Sequence, residues 1–148
     1  AVVDEMLKVA NVTQKDFVID LGSGDGRIVL TAARRYRAAG MGVDIDEELV
    51  TQSNAEARRD NLHNLAMFRK ADVLETSIRE ATVVTLYLLP EVNLQLKPKL
   101  LALKPGTRIV SHDWDMGTWA PDRTVTVDAP DKPIGREKVS KLHLWVVK

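Results

Sequence analysis

The chain has 148 residues, with 21 Lys and Arg balanced by 21 Asp and Glu, so we expect a single domain with no net charge. This balance gives no indication of a nucleic-acid partner or an acidic membrane, and no apolar run approaches the about 20 residues of a membrane span. The absence of cysteine excludes disulfides, thiolate nucleophiles and cysteine-rich metal sites, and the three histidines lie too far apart to form a metal-binding motif.

The first half of the chain alternates helical and extended patterns. Apolar residues at helical spacing predict a leading helix, and a continuous apolar run predicts the buried strand that follows it. A glycine-rich stretch leads into a second helix whose outer face carries arginines. The elements expected here are helices over residues 2–10, 28–36 and 46–60, and strands over residues 17–21, 40–45 and 66–69.

The second half continues the alternation and then changes. Pro98 lies inside the helix expected over residues 91–103 and should kink it or split it in two. No helical pattern separates the last two strands, so we expect them to pair as an antiparallel hairpin around the loop APDKPIG. Together the patterns predict an α/β fold, with a mostly parallel sheet covered on both faces. The strands expected here cover residues 82–87, 107–111, 123–127 and 142–147.

The stretch VIDLGSGDGR joins the first strand to the second helix. In open α/β sheets ligands bind beyond the carboxyl ends of the strands, where glycines let the backbone approach a ligand closely. Arg27 stands where the dinucleotide fingerprint G-x-G-x-x-G requires its last glycine, which disfavours a nicotinamide dehydrogenase. Asp20 and Asp25 would repel a pyrophosphate but attract a cation, although a glycine-rich turn without a ligand remains the alternative. The loop residues are Gly22, Ser23, Gly24 and Gly26.

Two acids follow the second and third strands. Asp44 ends the second strand, at a distance from the glycines that suits hydrogen bonds to ribose hydroxyls. It could instead cap the next helix, but Asp46 is better placed for that cap. Asp72 could accept a hydrogen bond from an adenine amino group, with Val73 beside it offering backbone and apolar contact. Taken alone, Asp72 could be an ordinary exposed loop acid, but the two preceding motifs favour the adenine contact.

These motifs together describe a site for an adenosine that has no phosphate and carries a positive centre, which is S-adenosylmethionine. The motifs VIDLGSGDGR, GVDID and KADVLE resemble those of class I, seven-strand S-adenosylmethionine-dependent methyltransferases. The resemblance implies a Rossmann-like sheet of order 3-2-1-4-5-7-6 with strand 7 antiparallel, and S-adenosylhomocysteine as product. The cofactor-binding residues it implies are Asp20, Gly22, Ser23, Gly24, Asp25, Asp44, Ile45, Asp72, Val73 and Tyr87.

A narrower resemblance is carried by DLGSGDGRIV, ATVVTLYLLPEVN and LKPGTRIVSHDWDMGTWAPD. These stretches are similar to the family of the ATP-synthase c-subunit lysine methyltransferase and its bacterial relatives. The resemblance implies a protein partner and lysine N-methylation. A small-molecule methyltransferase and a non-catalytic S-adenosylmethionine-binding module are the alternatives. That family carries a V-P-T-P-like stretch before the leading helix, so we expect some N-terminal residues to be absent and take a cytoplasmic location only as the default.

The acceptor side carries the weaker candidates. At the end of the fourth strand, Leu88 and Leu89 stand where many amino methyltransferases have a polar residue, which argues against a nucleobase or glutamine acceptor. Tyr87 could line the substrate channel or simply pack in the core. In SHDWD, His112 could take a proton or have a structural role, and Asp113 could hold a lysine ammonium. Trp114 or Trp119 could face the substrate.

Overall fold

The computed structural model describes residues 2–88, 90–113, 116–128 and 139–148, and only the backbone of residues 90, 128 and 139. Helices and strands alternate along it almost as the sequence predicts. A short 3₁₀ turn, Val73–Glu75, follows the third strand. The helices are α1 (Val2–Val9), α2 (Arg27–Tyr36), α3 (Glu47–Arg59) and α4 (Pro90–Leu101). The strands are β1 (Phe17–Leu21), β2 (Ala39–Asp44), β3 (Ala66–Lys70), β4 (Val83–Leu86), β5 (Arg108–His112), β6 (Arg123–Asp128) and β7 (Val139–Val146).

The described strands form a seven-stranded sheet in the order β3-β2-β1-β4-β5-β7-β6, which confirms the expected order. The pairs from β3 to β5 are parallel, and β7 is antiparallel to both β5 and β6. The hairpin of β6 and β7 is therefore confirmed as well, while its loop APDKPIG lies outside the described residues. This topology brings the carboxyl ends of β1 to β5 to one edge of the sheet, hereafter the carboxyl edge.

Apolar side chains cover both faces of the sheet. On one face, α1 and α2 pack against the central strands, and α2 and α3 pack around Phe68 of β3. On the other face, Leu96 and Leu100 of α4 join a cluster that includes Ile19, Leu86 and Trp145. The sheet is thus a buried central layer, as the continuous apolar strands predict.

Helix α4 departs from the expectation for Pro98. The helix runs without a break from Pro90 to Leu101 with Pro98 inside it, so the alternative of two separate helices is wrong. Proline removes one hydrogen bond to the preceding turn. The fully buried side chains of Leu96 and Leu100 flank it and hold both turns against the sheet.

A buried ion pair ties α1, β1 and β5 together at the opposite edge. The guanidinium of Arg108 donates to Asp16 and to the carbonyls of Ala10 (2.7 Å) and Asn11 (3.1 Å). Asp16 is 7% exposed. Burial alone would raise its pKa, but hydrogen bonds from Thr13, Thr82 and Arg108 outweigh burial and lower the pKa below 3.8.

We expect Arg108→Met to lower the free energy of unfolding by about 2 kcal/mol, because it leaves Asp16 and two carbonyls without their charged donor. Urea unfolding at pH 7 measures this loss, with the exposed edge-strand variant Arg123→Met as the control. Since the folded pKa of Asp16 is lowered, the difference should persist above pH 3.8 and shrink as the pH falls through the folded value. Equal stability of the two variants would contradict this role.

Candidate functional site

The glycine loop is fixed to the neighbouring strand by its own backbone. The amides of Gly22 and Ser23 both donate to the carbonyl of Val43 on β2, at 2.8 and 2.9 Å. The three loop glycines have positive φ values of 80°, 55° and 82°, which residues with a side chain rarely adopt. The loop is therefore a preformed turn at the carboxyl edge, directly before α2.

The glycines of this loop perform different tasks. A Cβ at Gly22 would lie 2.6 Å from a methyl group of Leu88, and one at Gly26 would lie 2.8 Å from the ring of Phe68. These two glycines make room for the protein's own side chains. A Cβ at Gly24 would have nothing within 4 Å. Within the described residues, Gly24 is therefore the loop glycine whose backbone a ligand can approach.

Asp44 holds this open position in place. One carboxylate oxygen accepts the amide of Gly24 and the other accepts the amide of Asp46, both at 2.9 Å. Asp46 in turn accepts the amides of Glu48 and Leu49 at the start of α3, which confirms it as the helix cap. The side chain of Ile45, between the two acids, is 71% exposed.

Asp72 organises the next loop along the same edge. Its carboxylate accepts the amide of Leu74 at 2.9 Å, and its carbonyl accepts from the Thr76 hydroxyl at 2.7 Å. The amide of Ala71 donates to the carbonyl of Asp44 at 3.1 Å, which keeps the loop of Asp72 beside the end of β2. Val73 packs against the core, while the side chain of Leu74 is 40% exposed.

Asp20 and Asp25 lie beneath and beside the loop, and their surroundings shift their pKa values in opposite directions. Burial raises the pKa of Asp20 to about 7; the carboxylates of Asp44 and Asp25 contribute, and a hydrogen bond from Thr85 (2.8 Å) opposes the rise. Asp25 lies near the surface, where hydrogen bonds from Arg27 lower its pKa despite partial burial. A cation bound at this loop would favour the ionised form of Asp20.

The raised pKa of Asp20 predicts a dependence of stability on pH. The folded protein binds a proton that the unfolded chain releases, because an unfolded aspartate has its pKa near 3.9. The contribution of Asp20 to the free energy of unfolding should therefore be fully present below pH 4 and decline as the pH rises to about 7, by at most about 1.4 kcal/mol per pH unit. Asp20→Asn keeps an acceptor for Thr85 and should flatten the slope between pH 5 and 7 in urea unfolding. Equal slopes in the two proteins would show that Asp20 does not titrate there.

Tyr87 and His112 form a stacked pair where β4 and β5 end. Their rings are nearly parallel, with centroids 4.1 Å apart and planes 9° apart. His112 is 7% exposed, and its Nε2 atom lies 2.8 Å from the buried hydroxyl of Ser140 on β7. Tyr87 is 56% exposed, and its hydroxyl makes no hydrogen bond to any residue that the structure describes. The imidazole of His112 therefore covers one face of the Tyr87 ring, and the phenol remains accessible from solvent.

The other predicted acceptor-side residues have mainly structural contacts. Asp113 pairs with the backbone of Lys141 through both its amide and its carboxylate, and its second oxygen lies 3.7 Å from Nδ1 of His112. Trp119 is half-buried against Trp145, whose indole donates to the Trp119 carbonyl at 2.8 Å. Leu89 and Trp114 lie outside the described residues.

Sequence reasoning did not identify Asn93 or Leu74. Asn93 is fully buried in the first turns of α4 and donates to the hydroxyl of Ser111 at 3.1 Å, while its carbonyl oxygen has no hydrogen-bond partner among the described residues. The Ser23 hydroxyl is also buried and has no hydrogen-bond partner in the part of the chain that the structure describes. The position of Leu74 in KADVLE, two residues after Asp72, is the sequence signal that could have identified it. The Asn93 contact joins residues 18 positions apart and has no local signature.

Comparison with known proteins gives consistent matches. A family model for the ANTKMT methyltransferase domain matches residues 20–123. A protein-lysine N-methyltransferase from Saccharolobus islandicus is 43% identical over 129 residues, which are 86% of this chain and 80% of that protein. The human ATP-synthase c-subunit lysine N-methyltransferase is 33% identical over 82% of this chain, which spans 55% of that protein.

A solved structure also covers nearly the whole chain. It is described as an RNA methyltransferase from Salinibacter ruber in complex with S-adenosyl-L-homocysteine. Its sequence is 48% identical, its TM-score is 0.87, and the match covers 99% of this chain and 90% of that one.

Proposed function

Because this chain belongs to the family of ANTKMT methyltransferase domains, we propose that it transfers methyl groups from S-adenosylmethionine to the side-chain amine of protein lysines. Family membership makes it an S-adenosylmethionine-dependent methyltransferase. The observation that carries the lysine acceptor is the 43% identity to an archaeal protein-lysine N-methyltransferase along 86% of the chain.

The described residues fit this cofactor. Gly24 leaves the loop backbone open, and the nearby carboxylates suit a ligand with a positive centre. Asp44 and Asp72 each keep lone pairs beyond those used by backbone amides, which suits ribose hydroxyls and an adenine amino group. The exposed apolar side chains of Ile45 and Leu74 suit the faces of a purine.

The chain's residues act chiefly by holding and orienting the two reactants. When bound, S-adenosylmethionine would supply an electrophilic methyl group. The neutral amine would form the new N–C bond while the S–C electron pair returns to sulfur, and one proton would leave the product amine for solvent. Gly24 and Asp44 would fix the amino-acid and ribose parts, and Asp72 the adenine. Orientation of this kind can contribute about 7–11 kcal/mol.

Tyr87 is the residue we assign to the acceptor channel. Its ring stacks on the His112 ring, and the next residue, the apolar Leu88, packs on the glycine loop. An amine that enters past apolar and aromatic surface loses hydration, which lowers its pKa and favours the neutral form that attacks. No residue of the described chain is needed as a strong base for this step.

The carboxyl edge carries a charge that favours a basic acceptor. Among the described residues at this edge, acidic side chains outnumber basic ones, although the chain as a whole is neutral. Two of the basic residues, Arg27 and Lys70, are paired with Asp25 and Glu47. Such an edge attracts a lysine-containing segment and repels a phosphate backbone. The described acids after β1 to β5 are Asp25, Asp44, Asp46, Glu47, Glu48, Asp72, Glu75, Glu91 and Asp113.

RNA methylation is the second candidate, because the Salinibacter ruber protein is described as an RNA methyltransferase. Five arginines of the described chain lie at the opposite edge of the sheet, where α2 and α3 end. These arginines would draw a polyanion away from the open glycine and not toward it. The arginines concerned are Arg34, Arg35, Arg37, Arg58 and Arg59.

A transfer assay with methyl-tritiated S-adenosylmethionine separates the candidates. The protein is incubated with a desalted cell lysate, and the macromolecular product is divided between protease and ribonuclease treatment. We expect the retained label to be lost with protease and to survive ribonuclease. Label that survives protease and is lost with ribonuclease would establish RNA as the acceptor. Absence of macromolecular label would overturn the protein acceptor and favour a small-molecule one.

A further inference from the structure

A lysine of α4 binds the end of the loop that carries Asp72. The ammonium group of Lys99 donates to the carbonyl of Thr76 and lies 3.4 Å from the carbonyl of Leu74. Both carbonyls belong to the end of the 3₁₀ turn, where no helical amide follows to pair with them. Lys99 is half-buried, so its charge acts on the loop at closer range than a freely solvated lysine would.

The same loop is fixed at its other end by Asp44. Ala71 donates to the Asp44 carbonyl, and the Asp72 carboxylate holds the Leu74 amide. Thr76 is buried and its hydroxyl binds the Asp72 carbonyl, so the lysine contact at Thr76 reaches Asp72 through one further hydrogen bond. The position of Asp72 therefore depends on Lys99, which is 27 residues later in the chain.

We propose that Lys99 is a positioning residue for the donor: it holds the Asp72–Thr76 loop in the conformation that receives the adenine of S-adenosylmethionine. The proposal rests on the proposed use of Asp72 and Leu74 for adenine. It does not depend on which molecule accepts the methyl group. Lys99 itself reaches neither the donor nor the acceptor.

Helix α4 offers a matched control two residues away. Lys97 has a similar degree of burial, but its ammonium donates to the Thr118 hydroxyl at 3.0 Å, away from the donor loop. Replacing either lysine with methionine removes the ammonium group but keeps an unbranched apolar side chain and nearly the same helix propensity. The two variants thus differ mainly in which segment loses its charged donor.

Calorimetry with S-adenosylhomocysteine tests the proposal without any acceptor. We expect Lys99→Met to raise the Kd about 10-fold, Lys97→Met to leave it within about twofold, and Lys99→Arg to restore most of the affinity. In the transfer assay, Lys99→Met should raise the KM for S-adenosylmethionine and leave kcat nearly unchanged.

Two results would overturn this role. One is wild-type affinity in Lys99→Met, and the other is an equal loss in both methionine variants, which would indicate a general effect on α4. If Lys99→Met does not fold, Lys99→Gln, which retains one donor group, is measured in the same way. A protein that binds S-adenosylhomocysteine as expected but labels no lysine would refute the proposed acceptor and leave the role of Lys99 intact.

Discussion

Gly24→Val is expected to lower the affinity for S-adenosylhomocysteine by at least about 100-fold, equivalent to about 2.7 kcal/mol, in a protein that still folds. The valine side chain would fill the open space beside the loop, where no described residue beyond the two chain neighbours has an atom within 4 Å of the Cβ position. The φ of 55° adds backbone strain of about 1–2 kcal/mol, because a branched residue disfavours the left-handed region. Calorimetry measures the affinity, and thermal unfolding verifies the fold.

Gly106→Val is the matched control for that strain. Gly106 also has a positive φ, of 91°, and also has nothing within 4 Å of a built Cβ, but it lies in the turn before β5 at the opposite edge. Both variants should lose similar stability, and only Gly24→Val should lose the donor. If valine prevents folding, the alanine pair is compared instead. Equal donor affinity in the two variants would contradict the assignment of Gly24.

Asp44→Ala is expected to weaken donor binding about 10- to 150-fold, since hydrogen bonds to a charged group contribute about 1.5–3 kcal/mol. The variant loses the acceptor proposed for the ribose and also releases the Gly24 amide that the carboxylate holds at 2.9 Å. Asp44→Asn keeps one oxygen and should give an intermediate loss. Calorimetry with S-adenosylhomocysteine compares the three proteins.

Asp46→Ala is the control that distinguishes a loss of methyl-donor affinity from a loss of helix stability. Asp46 caps α3 through the amides of Glu48 and Leu49 and has no place in the proposed donor site. Its loss should cost about 1 kcal/mol of stability and change the donor affinity less than twofold. Unchanged affinity in Asp44→Ala would show that this carboxylate does not bind the ribose.

Much of the fold could be predicted because its signals are local. The apolar run of β1, the acidic first turn of α3 and the alternation of patterns each depend on neighbouring residues. The strand order has no such local signal, because the pairing of β4 with β1 joins residues about 65 positions apart. A resemblance to known sequences supplied that order, and periodicity alone does not contain it. The expected alternative of a split at Pro98 was wrong, because buried leucines on both sides of the proline outweigh one lost hydrogen bond.

The candidate site shows the same limit. The acids at the strand ends and the glycine loop were identifiable from spacing, and the fold brings them to one edge. The sequence did not reveal that Gly22 is required by Leu88, or Gly26 by Phe68, because those contacts cross between strands. The contact of Lys99 with Thr76 is equally remote. Leu88, read from the sequence as a missing polar residue, proves to be a packing partner of the loop.

The chemical identity of the methylated product tests the proposed lysine methylation most directly. Protein labelled from methyl-tritiated S-adenosylmethionine is hydrolysed to amino acids, and wild-type and Gly24→Val reactions are compared side by side. We expect the label to elute as N-methylated lysine and Gly24→Val to yield almost none. Label in another amino acid or in a nucleoside would contradict the proposed function, and undiminished methyllysine from Gly24→Val would contradict the proposed donor site.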